Sequence, residues 1–256
     1  MSYYIPRQLE CRPDSYQGWY QQASLLEKQG YLKDAKAAYE KALEYNPKDY
    51  WSWYHRGKIL EQLNLYDEAI ASWQQAASIE PKNYWAWYDA GYVYLYNLND
   101  YEQAAYCFSQ ALTEKPDDYW ANYRLAEAKR LLGDWQSAIA YYNRAITLRP
   151  EDYWACYRKA EVLGKIEPKQ ALEVYSRALE LKKRDYWAWK GKANLLQQMN
   201  NFKAATLAYT QVLLIEPEDI ESWQNQSVCF SKIHQIEAAN YCLKAVASLK
   251  AKHKIS

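Results

Sequence analysis

The sequence predicts an all-α chain built as a solenoid of stacked helix pairs, and three observations carry that prediction. First, a motif of the form Asp-Tyr-Trp recurs at a nearly fixed interval: units counted from their first aromatic or apolar residue start at 16, 50, 84, 119, 153, 186 and 220. The steps are 34, 34, 35, 34, 33 and 34 residues, a period that belongs to stacked supersecondary units rather than to one compact core. Second, apolar residues inside each unit follow helical spacing, not strand alternation. Third, prolines at 47, 81, 116, 150 and 217 stop the chain just before the next unit begins.

The units are 16–49, 50–83, 84–118, 119–152, 153–185, 186–219 and 220–253, with a leader at 1–15 and a short basic tail at 254–256. In the second, a first helix begins near Asp49 and carries Trp53, Gly57 and Leu60 on one face. A second helix is predicted from about Tyr66 to Ile79, with Ala69, Trp73 and Ala76 on one face at i, i+4 and i+7. The Asp or Asn ahead of each unit's start (Asp49, Asn83, Asp118, Asp152, Asp185, Asp219) suits an N-cap, because its side chain accepts an orphan backbone N–H. The third unit has one extra residue, expected within Asn97–Asp100, and the fifth lacks one, expected within Ile166–Lys169. Length changes confined to turns leave stacking undisturbed, and Pro168 suits the first turn of a helix.

Allowing for those two changes, the places align. Trp holds place 4 in Trp19, Trp53, Trp87, Trp189 and Trp223, and place 8 is small throughout, from Ala23 and Gly57 to Ser227. Place 20 is Ala in every unit, at 35, 69, 104, 138, 171, 205 and 239, and place 24 is bulky, as in Tyr39, Trp73 and Phe108. Small residues at 8 and 20 let two helices approach, and large ones at 4, 11 and 24 fill the gaps. This pattern resembles the tetratricopeptide repeat (TPR) over residues 16–253. The resemblance implies a right-handed superhelix of about 14 antiparallel helices, with first helices lining a concave wall. It also implies peptide binding, on a groove lined by places 2, 5, 6, 9, 12 and 13.

Place 2 lies outside the family's packing pattern, yet it is Trp in five successive units: Trp51, Trp85, Trp120, Trp154 and Trp187. Place 5 is Tyr in Tyr20, Tyr54, Tyr88, Tyr123 and Tyr157, then Lys190. As i and i+3 neighbours, each Trp is expected to lie against its own Tyr. Two readings of place 2 stand. The rings fill seams between first helices, or they form a ladder that meets a ligand. If half of each ring stays accessible, the apolar surface exceeds what a monomer ordinarily leaves uncovered. Helices packed about 8–10 Å apart match the ~9.3 Å turn of a polyproline II strand, which points to an extended, Pro-containing peptide. Stacking on a carbohydrate or on RNA bases is the alternative.

Other groove candidates are His55, Lys58, Asp89, Tyr92, Arg124 and Arg158. Basic residues outnumber acidic ones in the fourth to sixth units, favouring a ligand with carboxylates at that end. The family's carboxylate-holding pattern is met only in part, by Lys190, Asn194 and Asn225. The predicted last helix, about Ile236 to Leu249, spreads apolar residues round more than one face, which predicts self-association or partner docking there. Tyr3, Tyr4 and Ile5 are expected to cover the first unit, and Lys250, Lys252 and Lys254 form the basic tail.

The 256 residues carry 32 basic and 31 acidic side chains, a net charge of +1 that argues against nucleic acid and anionic membranes. Mean hydropathy is -0.65, and no apolar run approaches the ~20 residues of a membrane span. The first ten residues lack the basic start and apolar stretch of a secretory signal. Cys11, Cys107, Cys156, Cys229 and Cys242 show no paired spacing, and no His stands at ligand distance in sequence, so reduced thiols, a cytoplasmic setting and no metal or cofactor are expected. With seven Gly there is no phosphate-cradling loop, and no catalytic constellation appears. The sequence thus reads as a non-catalytic adaptor or assembly scaffold.

Overall fold

The computed structural model describes residues 13–252; Tyr3, Tyr4, Ile5, Cys11 and Lys254 lie outside that range. Among the described residues there are fourteen α-helices and no strand. The chain divides into two compact units, one ending at Ala128 and the other beginning at Lys129.

The first unit contains α1 (Tyr16–Lys28), α2 (Leu32–Tyr45), α3 (Tyr50–Gln62), α4 (Tyr66–Ile79), α5 (Tyr84–Val93), α6 (Tyr101–Glu114) and most of α7 (Tyr119–Leu131). The second holds α8 (Trp135–Leu148), α9 (Tyr153–Ile166), α10 (Pro168–Leu181), α11 (Tyr186–Gln198), α12 (Phe202–Ile215), α13 (Ile220–Lys232) and α14 (Ile236–Lys252). Odd-numbered helices are the first helices of the repeats. Asp49, Asn83, Asp152, Asp185 and Asp219 cap their helices as expected, for example Asp49 accepting from Ser52 N at 2.6 Å and Asp185 from Ala188 N at 2.9 Å. Asp118 likewise accepts from Ala121 N at 2.8 Å, while in the first repeat Ser15 does the capping.

Between the two helices of a repeat the chain turns through one left-handed residue. Asn64, Asn200, His234, Gly30 and Gly133 hold φ between 59° and 80° there. Asn tolerates this region through its short polar side chain, and Gly has no Cβ to clash. The two length changes act on this turn differently from each other. The extra residue of the third repeat is absorbed earlier than the sequence suggests, in a π turn at Tyr94–Leu98 ahead of the left-handed Asn99. Accordingly Asp100 N bonds back to Tyr94 O at 2.9 Å, whereas the equivalent Leu65 N reaches Leu60 O, one residue nearer. In the fifth repeat the left-handed residue itself is missing: Glu167 alone links α9 to α10, and Pro168 opens α10.

Packing follows the small-large places. Ala35, Ala69, Ala104, Ala138, Ala171 and Ala205 are fully buried, as are Tyr39, Trp73, Phe108, Tyr142 and Tyr209 at place 24. A Cβ on Gly57 would stand 2.5 Å from Trp73 Nε1, so that helix pair closes only over glycine. Trp73 uses the same nitrogen to donate to Tyr54 O at 3.2 Å, leaving its buried N–H satisfied. Cys107, Cys156, Cys229 and Cys242 are free and buried, and burial pushes the Cys107 thiol up to about 12 and the Cys229 thiol to about 11. Such thiols stay protonated and inert. No described helix is long and apolar enough to cross a membrane.

Candidate functional site

The recurrent Asp-Tyr-Trp string divides three tasks among its residues. The Asp or Asn caps its own first helix. The Tyr at place 1 is turned inward, and its hydroxyl donates to the cap of the following repeat. Tyr50 reaches Asn83 Oδ1 at 2.8 Å, Tyr84 reaches Asp118 at 3.0 Å, Tyr186 reaches Asp219 at 2.8 Å, and Tyr153 bonds Asp185 in the same way. Each of these caps therefore ties two repeats together, through a charge-assisted bond where it is Asp and a neutral one at Asn83. This role is not readable inside one unit, because donor and acceptor lie 32 to 34 residues apart.

Place 4 has a second structural task. Trp53, Trp87 and Trp223 donate Nε1 to the carbonyls of Pro47, Pro81 and Pro217, each at 2.9 Å, and Trp189 donates to Lys183 O at 2.9 Å. Where the fourth repeat has Asn122, its amide makes the same bond to Pro116 O at 2.9 Å. Cys156 has no such donor, and Arg177 reaches the Pro150 carbonyl instead, at 3.4 Å. The turn between repeats is thus fastened by a place-4 side chain in the second, third, fourth, sixth and seventh repeats, and by Arg177 ahead of the fifth.

The Trp at place 2 has neither task. Trp51, Trp85, Trp120, Trp154 and Trp187 are 43%, 45%, 43%, 49% and 57% exposed. One side of each indole rests edge-on against its own place-1 Tyr, with centroids 4.9–5.2 Å apart and planes at 72–89°. The expected contact with place 5 is made by Trp51 to Tyr54 (5.8 Å) and Trp154 to Tyr157 (6.2 Å), while Trp85 makes no ring contact with Tyr88. Place 5 stacks on place 1 instead. Tyr54, Tyr88, Tyr123 and Tyr157 lie 5.3–6.1 Å from Tyr50, Tyr84, Tyr119 and Tyr153 with planes at 8–21°. Tyr123 and Tyr157 are consequently buried, at 9% and 7% exposure.

The polar candidates are mostly held by the protein itself. His55 stacks on Tyr39 at 5.5 Å, and its Nδ1 lies 3.3 Å from Glu27, which also accepts the Tyr39 hydroxyl at 2.8 Å. Asp89 takes the Tyr54 hydroxyl at 2.8 Å and lies 3.8 Å from Lys58. Burial raises the Asp89 carboxyl pKa, against the opposing pull of Lys58 and Tyr54. Arg158 pairs with Glu161 at 2.7 Å. Lys190 bonds Tyr186 at 2.9 Å, Asp219 at 3.0 Å and Glu221 at 2.8 Å. Asn194 accepts the Tyr209 hydroxyl at 2.7 Å. Of the three carboxylate-holding candidates, Lys190 and Asn194 therefore have internal partners.

Arg124 differs. Its guanidinium carbon sits 4.8 Å over the Tyr96 ring, 5.5 Å over Tyr92, and 5.6 Å over both Trp120 and Tyr123, and Nη1 bonds the Tyr96 hydroxyl. No carboxylate pairs with it among the described residues, and its Nε is buried without a hydrogen-bond partner. The ring faces offset part of the desolvation of this cation. Its formal charge stays available beside the exposed edges of Trp120, Tyr92 and Tyr96.

Among the described residues no group of His, Cys, Asp and Glu could hold a metal ion. Away from the first-helix face, α14 exposes Ile236, Tyr241 and Leu243 while burying Ala239, Cys242 and Val246. Beside it a cavity of about 440 Å³ is lined by Leu213, Leu214, Trp223, Phe230 and Tyr241.

Two stretches, residues 20–84 and 86–153, match the family model described as tetratricopeptide repeat, together just over half of the chain. No curated protein matches in sequence. Among solved structures, YrrB aligns with TM-score 0.65 and 22% identity over 72% of this chain and 95% of its own. The C-terminal part of a TPR repeat-containing protein from Cytophaga hutchinsonii aligns with TM-score 0.73 and 17% identity over 90% and 95%. A chain of the Naa15/Naa10 structure bound to HypK-THB aligns with TM-score 0.63 and 19% identity over 84% of this chain and 34% of that one. At these identities the likeness establishes the fold.

Proposed function

The chain belongs to the tetratricopeptide repeat family, and from that premise we propose that it is a non-catalytic scaffold binding an extended polypeptide on its first-helix faces. TPR proteins bind protein partners, and YrrB is described as a TPR protein with an unusual peptide-binding site. The observation that carries the reading is the exposure of the place-2 indoles. In a motif whose Asp and Tyr are consumed by caps and inter-repeat bonds, Trp51, Trp85, Trp120, Trp154 and Trp187 keep 43–57% of their surface open. An indole left half in water contributes little to folding by its outer side, so a repeated exposed indole fits a surface that a guest covers.

The preferred guest is Pro-containing and, near Arg124, acidic. A Pro-rich strand brings a side chain round to the same face every ~9.3 Å at low entropic cost, which suits a surface that offers one indole per repeat. Arg124 supplies positive charge that no carboxylate among the described residues neutralises, whereas Arg158 and Lys190 are already paired. That distribution disfavours a nucleic-acid guest, which needs a continuous basic track. The buried, protonated thiols suit a reducing, cytoplasmic setting. The outer side of α14 is a second docking surface, for another copy or a partner.

The test is affinity for a library of Pro-rich dodecapeptides, measured on the native protein and on the Trp120→Ala, Trp154→Ala double variant. Loss of about tenfold or more in Kd, with folding intact, supports the reading. Unchanged affinity refutes it.

A further inference from the structure

In the row of place-6 residues on the first helices, one side chain is missing. Where His55, Asp89, Arg124, Arg158 and Asn225 stand in other repeats, the sixth repeat has Gly191. The gap is filled from below. A Cβ on Gly191 would stand 2.5 Å from the Tyr175 hydroxyl oxygen and 2.8 Å from its ring carbon, so the phenol tip lies directly under the glycine. Above and beside it opens a cavity of about 210 Å³, lined by Glu161, Lys165, Tyr175, Gly191, Asn194 and Gln198.

Tyr175 is the fifth repeat's place-24 residue, and its equivalents show what such a phenol does when satisfied. Tyr39 donates to Glu27 at 2.8 Å, and Tyr209 bonds both Asn194 at 2.7 Å and Gln197 at 2.6 Å. Tyr175 is equally buried, at 4% exposure, yet its hydroxyl has no hydrogen-bond partner among the described residues. A buried hydroxyl without a partner is costly. The residue lines the cavity, so its hydroxyl can be reached by a guest that enters there. Glu161, in the same lining, accepts from Tyr157 at 3.0 Å and Arg158 at 2.7 Å, one bond to each oxygen, and makes no hydrogen bond with Tyr175.

We propose that this pocket receives a primary carboxamide, the side chain of a glutamine or asparagine of the bound polypeptide, with the Tyr175 hydroxyl donating to the carboxamide oxygen. The polarity of the lining selects that group. Tyr175 offers a hydroxyl donor, and the Asn194 and Gln198 carboxamides, each with donor and acceptor atoms, line the same space. Glu161 retains acceptor capacity for the carboxamide N–H. A carboxylate guest would face the Glu161 carboxylate in the same lining, which a neutral carboxamide does not oppose. An aliphatic side chain would leave the Tyr175 hydroxyl unpaired. The volume equals roughly seven water molecules, enough for a glutamine side chain.

The inference rests on the peptide-binding reading for its guest but not for its chemistry, and the experiment separates the two. The intact protein, labelled at the tyrosine ring ε carbons, is titrated with N-acetyl-glutamine methylamide and with N-acetyl-leucine methylamide. The glutamine compound is expected to move the Tyr175 resonance saturably and the leucine compound to leave it in place. Tyr175→Phe, which removes only the oxygen, is expected to weaken the glutamine compound about tenfold, a hydrogen bond's worth of discrimination. It should leave Tm unchanged or raised, because no internal bond is lost. Equal response to the two compounds, undiminished affinity in Tyr175→Phe, or a Tm lowered by that substitution would each overturn the assignment. The same substitution is then read with Pro-rich dodecapeptides carrying one central Gln or Leu. If these bind through the indoles but show no Gln preference, the pocket falls and the groove stands. If none binds while the small glutamine compound still titrates Tyr175, the groove reading falls and the pocket stands.

Discussion

The inter-repeat bond made by place-1 tyrosines predicts a defined cost for Tyr50→Phe. The substitution keeps the ring, which is 2% exposed and stacked on Tyr54, and removes one oxygen. That oxygen serves two bonds. It donates to Asn83 Oδ1 at 2.8 Å and accepts the buried Ala86 N–H at 3.3 Å. Ala86 is in the first turn of α5, where no helical carbonyl precedes it, so its N–H loses its acceptor with that oxygen. Losing a neutral hydrogen bond costs about 1 kcal/mol, and stranding a buried donor adds ~1–3 kcal/mol. The expected loss is therefore about 2–4 kcal/mol, which lowers Tm by roughly 4–16 °C at ~2–4 °C per kcal/mol. Urea unfolding followed by circular dichroism reads the global figure, and amide exchange at Ala86 reads the local one. Exchange at that amide should accelerate more than at the α5 amides beyond it. A loss below about 0.5 kcal/mol, or unaltered exchange at Ala86, would refute the assignment of this bond as the link between repeats.

Three further outcomes follow from the same geometry. Gly57→Ala forces a methyl to within 2.5 Å of Trp73 Nε1, and overpacking of this kind costs about 1–3 kcal/mol in thermal or urea unfolding. Trp53→Phe, which cuts the bond to Pro47 O, should destabilise by about 1 kcal/mol, whereas Trp187→Ala, on an indole 57% exposed, should cost well under the ~3–5 kcal/mol of a core tryptophan; equal losses would contradict the division between places 4 and 2. Asp185 and Asp219 are subject to burial, which raises their carboxyl pKa, but hydrogen bonds from Lys182 and Tyr153, and from Ser222, Tyr186 and Lys190, outweigh it and hold both below the ordinary range. Stability from these groups is present above the unfolded aspartate value of about 3.9 and is lost as pH falls through the lower folded values. An acid titration of stability should thus steepen below about pH 4 and flatten in Asp219→Asn.

Much of the architecture was legible because repetition lets each unit check the others. The helix predicted from about Tyr66 to Ile79 is α4 with those ends, since Pro81 and the left-handed Asn64 punctuate it in sequence as in space. The π turn at Tyr94–Leu98 was displaced from its expected place because an extra residue can enter either the turn or the last helical hydrogen bonds, and composition does not distinguish them. The candidate site was legible by type more than by contact. Place 2 stood out by repetition, and the structure leaves those rings open. Lys190, Asn194 and Asp89 look like free groove polars in sequence, yet they find partners beyond their own helices, while Arg158 pairs within its own helix with Glu161. The signal that could have revealed the tyrosine bond was the joint recurrence of place-1 Tyr and the following repeat's cap. For Tyr175 the signal was a pair, a phenol at place 24 and a glycine at place 6 of the next unit, each ordinary alone.

The central claim is that place-2 indoles face a guest while place-4 indoles hold turns. Fluorine NMR of the intact protein carrying 5-fluorotryptophan resolves the two sets, Trp51, Trp85, Trp120, Trp154 and Trp187 against Trp19, Trp53, Trp87, Trp189 and Trp223. Addition of a bound Pro-rich dodecapeptide should shift resonances of the first set and leave the second in place. Binding that moves only the second set, or neither, would contradict the account.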